Sequence, residues 1–257
     1  MGRFEDLLLE VKGGLKVLPI IHSCDGYGFR SILESGKIEM RYCDVFKENL
    51  VYAFYGKPAY KIHLVGATKN DALFPVCFIM NQDYLQEFWR IYPFDSGAFA
   101  KIDEIKSKYF HDKMNISDFQ VRADIRNAVR IVEKFYSNNE KYVDDKPDVN
   151  VNIFRPTEYE ARGYAELITS ARVEGFDNRV STIEMVYNAD INLNADNLMQ
   201  VIMPNSLTGD AEVVRMLGDK YGVLDPITYY IGRGHPLECH GAIYQKYREY
   251  LNAGGML

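Results

Sequence analysis

The stretch Leu18-Pro19-Ile20-Ile21-His22-Ser23-Cys24-Asp25-Gly26-Tyr27-Gly28-Phe29-Arg30-Ser31-Ile32-Leu33-Glu34-Ser35-Gly36 reads as strand, turn, helix and stop. Residues 15–21 form a short β-prone run broken only by Pro19, and residues 23–26 have turn composition. Phe29, Ile32 and Leu33 then share one helical face. Gly36 is placed to end that helix in the left-handed conformation, which costs glycine no Cβ clash.

Working outward, residues 50–55 and 74–80 have the aromatic and β-branched content of buried strands. Between them Gly56-Lys57-Pro58 predicts a turn, with a helix beginning at Ala59. Residues 164–169, 182–187 and 199–203 read as further strands, and residues 210–221 and 236–251 as helices, with Gly222 stopping the first. In the middle, Leu85, Phe88, Trp89 and Tyr92 recur at helical spacing, as do Ile125, Val129, Val132 and Tyr136. Residues 83–138 are therefore predicted as a helical insert, and the polar residues 137–150 as an exposed connection. The fold class that follows is α+β, in one domain over residues 1–257.

At 257 residues and 47% hydrophobic, the chain can bury a large core. Its net charge of −6 gives no overall basic footprint, so nucleic-acid contact would need a local patch. Charges interrupt every apolar run well short of a membrane span, which excludes a transmembrane helix. Cys24, Cys43, Cys77 and Cys239 lack C-x-x-C spacing, so reduced thiols in a cytoplasm are expected. His235, Cys239 and His240 match no standard zinc spacing, so no metal is expected. Neither a Walker loop nor a glycine-rich dinucleotide loop is present.

Three segments, taken in order, resemble the ADP-ribosyltransferase superfamily, most closely the DarT-type enzymes that attach ADP-ribose to DNA. Residues 18–23 with the helix closing on Ile32-Leu33-Glu34-Ser35-Gly36 are similar to the family's first strand and helix, although Ser23 follows His22 without a spacer. Residues 51–60 resemble the aromatic strand, turn and short helix that lie beneath nicotinamide. Residues 162–168, containing Ala165-Glu166, are similar to the strand that presents the catalytic glutamate. The resemblance implies a split β-sheet core carrying the helical insert, and an enzyme that moves ADP-ribose from NAD to a macromolecule. The acceptor is nucleic acid by resemblance and protein otherwise, and a toxin of this kind has a neutralising partner protein. NAD hydrolysis, or a non-catalytic NAD-binding module of the same fold, are the alternatives.

Cleavage between nicotinamide and ribose passes through a cation-like sugar, so a carboxylate beside the ribose is the expected catalytic group. The resemblance gives that role to Glu166. It gives His22 and Ser23 to the NAD ribose, Tyr52 and Tyr60 to the nicotinamide ring, and Arg41 to a catalytic and anion-binding part, with Arg30 as a second option. Glu158 and Glu160 rank behind Glu166, and Glu184, in the following strand, reads as outward-facing.

Overall fold

The computed structural model describes residues 3–59, 67–85, 87–101, 108–170, 178–230 and 236–257. Its centre is a mainly antiparallel sheet in the strand order β10-β9-β5-β1-β4-β7-β6, with β3 also paired to β4. The strands are β1 (Ile20–Asp25), β3 (Arg41–Cys43), β4 (Glu48–Tyr55), β5 (Pro75–Met80), β6 (Arg90–Tyr92), β7 (Glu184–Tyr187), β9 (Leu198–Pro204) and β10 (Ile227–Tyr229). Only β9 and β10 run parallel, and a separate two-stranded ribbon joins β2 (Lys37–Ile38) to β8 (Ile191–Asn192). The chain is thus of the α+β class, and no helix among the described residues is long and apolar enough to cross a membrane.

The helix Gly26–Ser35 forms as its sequence dictates. Asp25 caps it by accepting the Gly28 N–H, and Gly36 ends it at φ 78° with its own N–H on the Ile32 carbonyl. Phe29, Ile32 and Leu33 are its buried face. The strand before it differs from expectation: pairing starts at Ile20 and continues through Asp25, so residues 23–25 are strand rather than turn. The reason is β5, which pairs with β1 along its whole length and satisfies the backbone that a turn would have exposed. Helix Ala211–Tyr221 likewise starts at the Asp210 cap and stops at Gly222, φ 73°. Helix Pro236–Ala253 packs on β5, β9 and β10.

Three expectations need correction. Residues 159–170 are a helix, Tyr159–Ser170, and not a strand. Ala161, Tyr164, Ala165 and Ile168 fall at i, i+3, i+4 and i+7 and are all buried, the spacing of a helix that packs one face. That face closes an aromatic cluster in which Tyr164 meets Phe4, Phe94 and Phe135 at centroid distances of 5.6, 6.0 and 4.7 Å. The insert is only partly helical: Arg90–Tyr92 is a strand on the edge of β7, while helix Ile125–Tyr136 holds its predicted apolar face. A short apolar run such as 85–92 suits either period, and the open edge of β7 decides it. Residues 137–150 are not wholly exposed, since helix Asn139–Val143 buries Tyr142 and Val143. The helix predicted from Ala59 lies outside the described residues beyond position 59.

Gly163 shows how closely that long helix is packed. A Cβ there would lie 2.6 Å from the Tyr109 carbonyl oxygen and under 3.0 Å from the Phe110 ring. Gly163→Ala should therefore destabilise the fold by roughly 1–3 kcal/mol despite alanine's better helix propensity. Chemical denaturation should show a lowered midpoint with an unchanged slope.

Candidate functional site

β4 carries two strands on one edge. Its Tyr55 and Phe54 pair with Ile20 and Ile21 of β1, while Leu50, Asn49 and Glu48 pair with Arg41, Tyr42 and Cys43 of β3. Between these pairings the edge at Val51, Tyr52 and Ala53 has no ladder partner among the described residues, because β1 turns away to follow β5. His22 is the first β1 residue beyond the last β4 pair. Its Nδ1 lies 2.9 Å from the Tyr52 carbonyl, at the point where the two strands part.

A carbonyl oxygen only accepts, so Nδ1 carries the proton and donates it to Tyr52. Burial outweighs this bond and, with the nearby Arg41 charge, holds the imidazole down at about 4. The ring is therefore neutral at pH 7, and Nε2 is a hydrogen-bond acceptor suited to a hydroxyl. The unfolded state binds the proton between the ordinary 6.5 and about 4, so stability should fall across that window as pH drops. The loss should reach at most about 3 kcal/mol, and His22→Gln should not show it. Denaturation curves of both proteins between pH 4 and 7 test this, and the His22 ring protons should not titrate above pH 6 in NMR spectra.

Ser23 stands opposite Cys77 on β5, and its hydroxyl bonds that thiol, whose titration burial pushes up to about 12. Side chains alternate along a strand, so Ser23 and His22 leave opposite faces. Because Ile21 pairs with Phe54, Ser23 lies on the face of β4 that carries Phe54 and Tyr52, and His22 on the opposite one. Arg41 is exposed on β3 and makes no ion pair among the described residues. It lines a cavity of about 440 Å³ together with Ser31, Ser35 and Lys37, beside helix Gly26–Ser35. Arg30 instead stacks on Tyr27 and reaches Glu34 across one exposed turn. Tyr60 lies outside the described residues.

Tyr52 points to the face that also carries Glu184. The register sets Tyr52 against Val186 and Phe54 against Glu184, so residues 52, 54, 184 and 186 share one face. Tyr52 donates its hydroxyl to Cys43 Sγ at 2.7 Å, and burial chiefly, then that bond and the Glu184 charge, raise its phenol.

Glu184 corrects the sequence reading most sharply. It is not outward-facing but 1% exposed. One carboxylate oxygen accepts the Ser96 N–H at 3.2 Å, and the other, Oε1, has no hydrogen-bond partner. Burial, reinforced by the Asp95 charge, raises its carboxyl well above the ordinary value. Asp95 is itself held by the Ala98 N–H at 2.7 Å and by Arg179 at 3.7 Å, contacts that favour its charged form, and that charge in turn favours the neutral form of Glu184.

Glu166, by contrast, is exposed on the helix Tyr159–Ser170, and it lines a second cavity with Tyr109 and His111, away from His22 and Tyr52. The expectation that Glu166 and His22 face one cleft is not met, because the helix buries Ala165 and Ile168 and turns Glu166 outward. Glu158 is consumed at the start of that helix, accepting from the backbone and side chain of Arg155 at 2.7 Å each. Sequence reasoning missed Glu184 as a site residue although a signal was present: it is the one charged residue in the run Thr182-Ile183-Glu184-Met185-Val186-Tyr187. No protein-family model, curated protein or solved structure matches this chain.

Proposed function

We propose that the chain is an NAD-dependent ADP-ribosyltransferase of split-sheet architecture, working at the point where β1 and β4 part, with Glu184 and not Glu166 as its catalytic carboxylate. The observation that carries this is the placement of Tyr52 and Glu184 on one face of the adjacent strands β4 and β7, beside the parting where His22 bonds the Tyr52 carbonyl, with an oxygen on the buried carboxylate that has no partner among the described residues. A buried polar atom without a partner is costly and rare outside functional sites.

Each group has a task in this reading. His22, leaving the opposite face, holds the Tyr52 carbonyl at the parting and so positions Tyr52. Tyr52 offers a ring face to the cationic nicotinamide. Arg41, unpaired among the described residues and beside a 440 Å³ cavity, meets the pyrophosphate. Ionised Glu184 holds the nicotinamide ribose and stabilises the positive charge that develops as the glycosidic bond breaks. The positive ring also favours the ionised carboxyl, so donor binding should release a proton at neutral pH. Because Glu184 is 1% exposed, the start of helix Ser96–Lys101, bonded to it through the Ser96 N–H, moves aside when the ribose enters.

The test is nicotinamide release from NAD carrying a label in its adenosine half, followed by separation of nucleic-acid, protein and small-molecule fractions. Label on a macromolecule supports transfer, and label only on free ADP-ribose means that water is the acceptor. Thermal stabilisation by NAD without release marks a binding module instead.

A further inference from the structure

We propose that the cavity between helix Tyr159–Ser170 and residues 109–118 is a binding site for an organic cation, an ammonium or guanidinium group, anchored by Glu160. This site is separate from the strand parting and does not rest on the function proposed above. The cavity is about 590 Å³, enough for an amino-acid side chain or a short polyamine, and its wall includes Tyr109, Tyr159, Glu160 and Glu166. Two atoms of that wall are buried without a partner, Glu160 Oε2 and Tyr109 Oη. Glu160 is 9% exposed, and its Oε2 is withdrawn from water without a hydrogen bond among the described residues to replace it.

Lys113, also in the wall, is exposed and forms no ion pair with Glu160 among the described residues, and the other charged groups are engaged elsewhere. Arg162 donates Nη1 to the Val151 and Phe154 carbonyls at 3.3 and 3.2 Å. Asp118 accepts the Asn115 N–H at 2.8 Å, and His111 Nδ1 lies 2.7 Å from Asp112. Among the described residues no lysine or arginine pairs with Glu160 or Glu166. A neutral hydroxyl would satisfy one oxygen but give neither carboxylate a direct ion pair, whereas a cation meets both needs. Tyr159 adds ring surface that attracts cations, while the Tyr109 ring already faces the Lys108 ammonium at 5.2 Å. A metal ion is disfavoured by the donor set, since no group of three or more metal-binding side chains occurs among the described residues.

Calorimetric titration at fixed ionic strength tests the site with agmatine and butylammonium as probes and 1-butanol as the neutral control. Saturable binding of the cations is expected, with no binding of butanol. Glu160→Gln should weaken agmatine about tenfold or more, because a charge-assisted bond becomes a neutral one. Should Glu160→Gln fail to fold, Glu166→Gln and Tyr109→Phe take its place, and each should weaken agmatine measurably. The proposal is overturned by the absence of saturable cation binding, by butanol binding as well as butylammonium, or by agmatine affinity unchanged in the folded variants.

Discussion

Glu184→Gln is expected to lower nicotinamide release by about a hundredfold or more while making the protein more stable at neutral pH. The first effect follows from removing a charge that a cation-like transition state feels, a preorganised group worth roughly 3 kcal/mol. NAD binding should change far less, because the ground-state ribose is neutral. The second effect follows from burial. The folded state raises the Glu184 carboxyl well above its ordinary 4.5, so it binds more protons than the unfolded state above that pH. Wild-type stability is therefore lost as pH rises from 4.5 through the folded value. Glutamine has no charge to bury, so the variant should gain roughly 1 kcal/mol or more at neutral pH, and the gain should vanish below pH 4.5. Turnover of the wild type should rise with pH as Glu184 ionises. A structural carboxylate would show neither the loss of turnover nor that acid limb.

The second large effect concerns stability alone. Lys57 is wholly buried at the end of β4, with its ammonium 2.7 Å from Asp145 Oδ1, 3.1 Å from Ser181 Oγ and 4.7 Å from the Tyr142 ring centre. Burial lowers its titration, and the Asp145 charge works against that shift. Asp145→Asn keeps the shape and tolerates the left-handed backbone at φ 55°, but leaves a buried cation without its counter-charge. The expected cost is about 3–5 kcal/mol. Lys57→Met should cost much less, because the Asp145 side chain is 44% exposed and can return to water. The lysine binds more protons unfolded than folded, so the Asn variant's deficit should shrink as pH approaches 10. Denaturation at pH 7 and 9.5 compares them, and equal costs for the two substitutions would contradict this account of the pair.

Most of the sheet could be read from the chain. The buried faces of residues 50–55, 74–80, 182–187 and 199–203 belong to β4, β5, β7 and β9, and Gly36 and Gly222 mark real helix ends. The candidate site was legible in part. His22 and Tyr52 meet through one hydrogen bond where β1 and β4 part, but Glu166 was favoured by a short Ala-Glu pattern, although Ala161, Tyr164, Ala165 and Ile168 already spelled a helix. Two physical facts were not available from sequence. One is that β4 and β6 enclose β7 on both edges, which buries Glu184. The other is that β5 draws β1 away from β4 and leaves the Tyr52 carbonyl to His22. Both depend on long-range pairing, which local periodicity does not encode.

The central claim is that chemistry occurs at Glu184 in β7 and not on the helix that carries Glu166. The most direct measurement is nicotinamide release from NAD by wild type, Glu184→Gln and Glu166→Gln, each first shown to be folded. The account predicts release by wild type and Glu166→Gln at similar rates, and a loss of about a hundredfold or more in Glu184→Gln. Release by Glu184→Gln at the wild-type rate, with Glu166→Gln inactive, would contradict it.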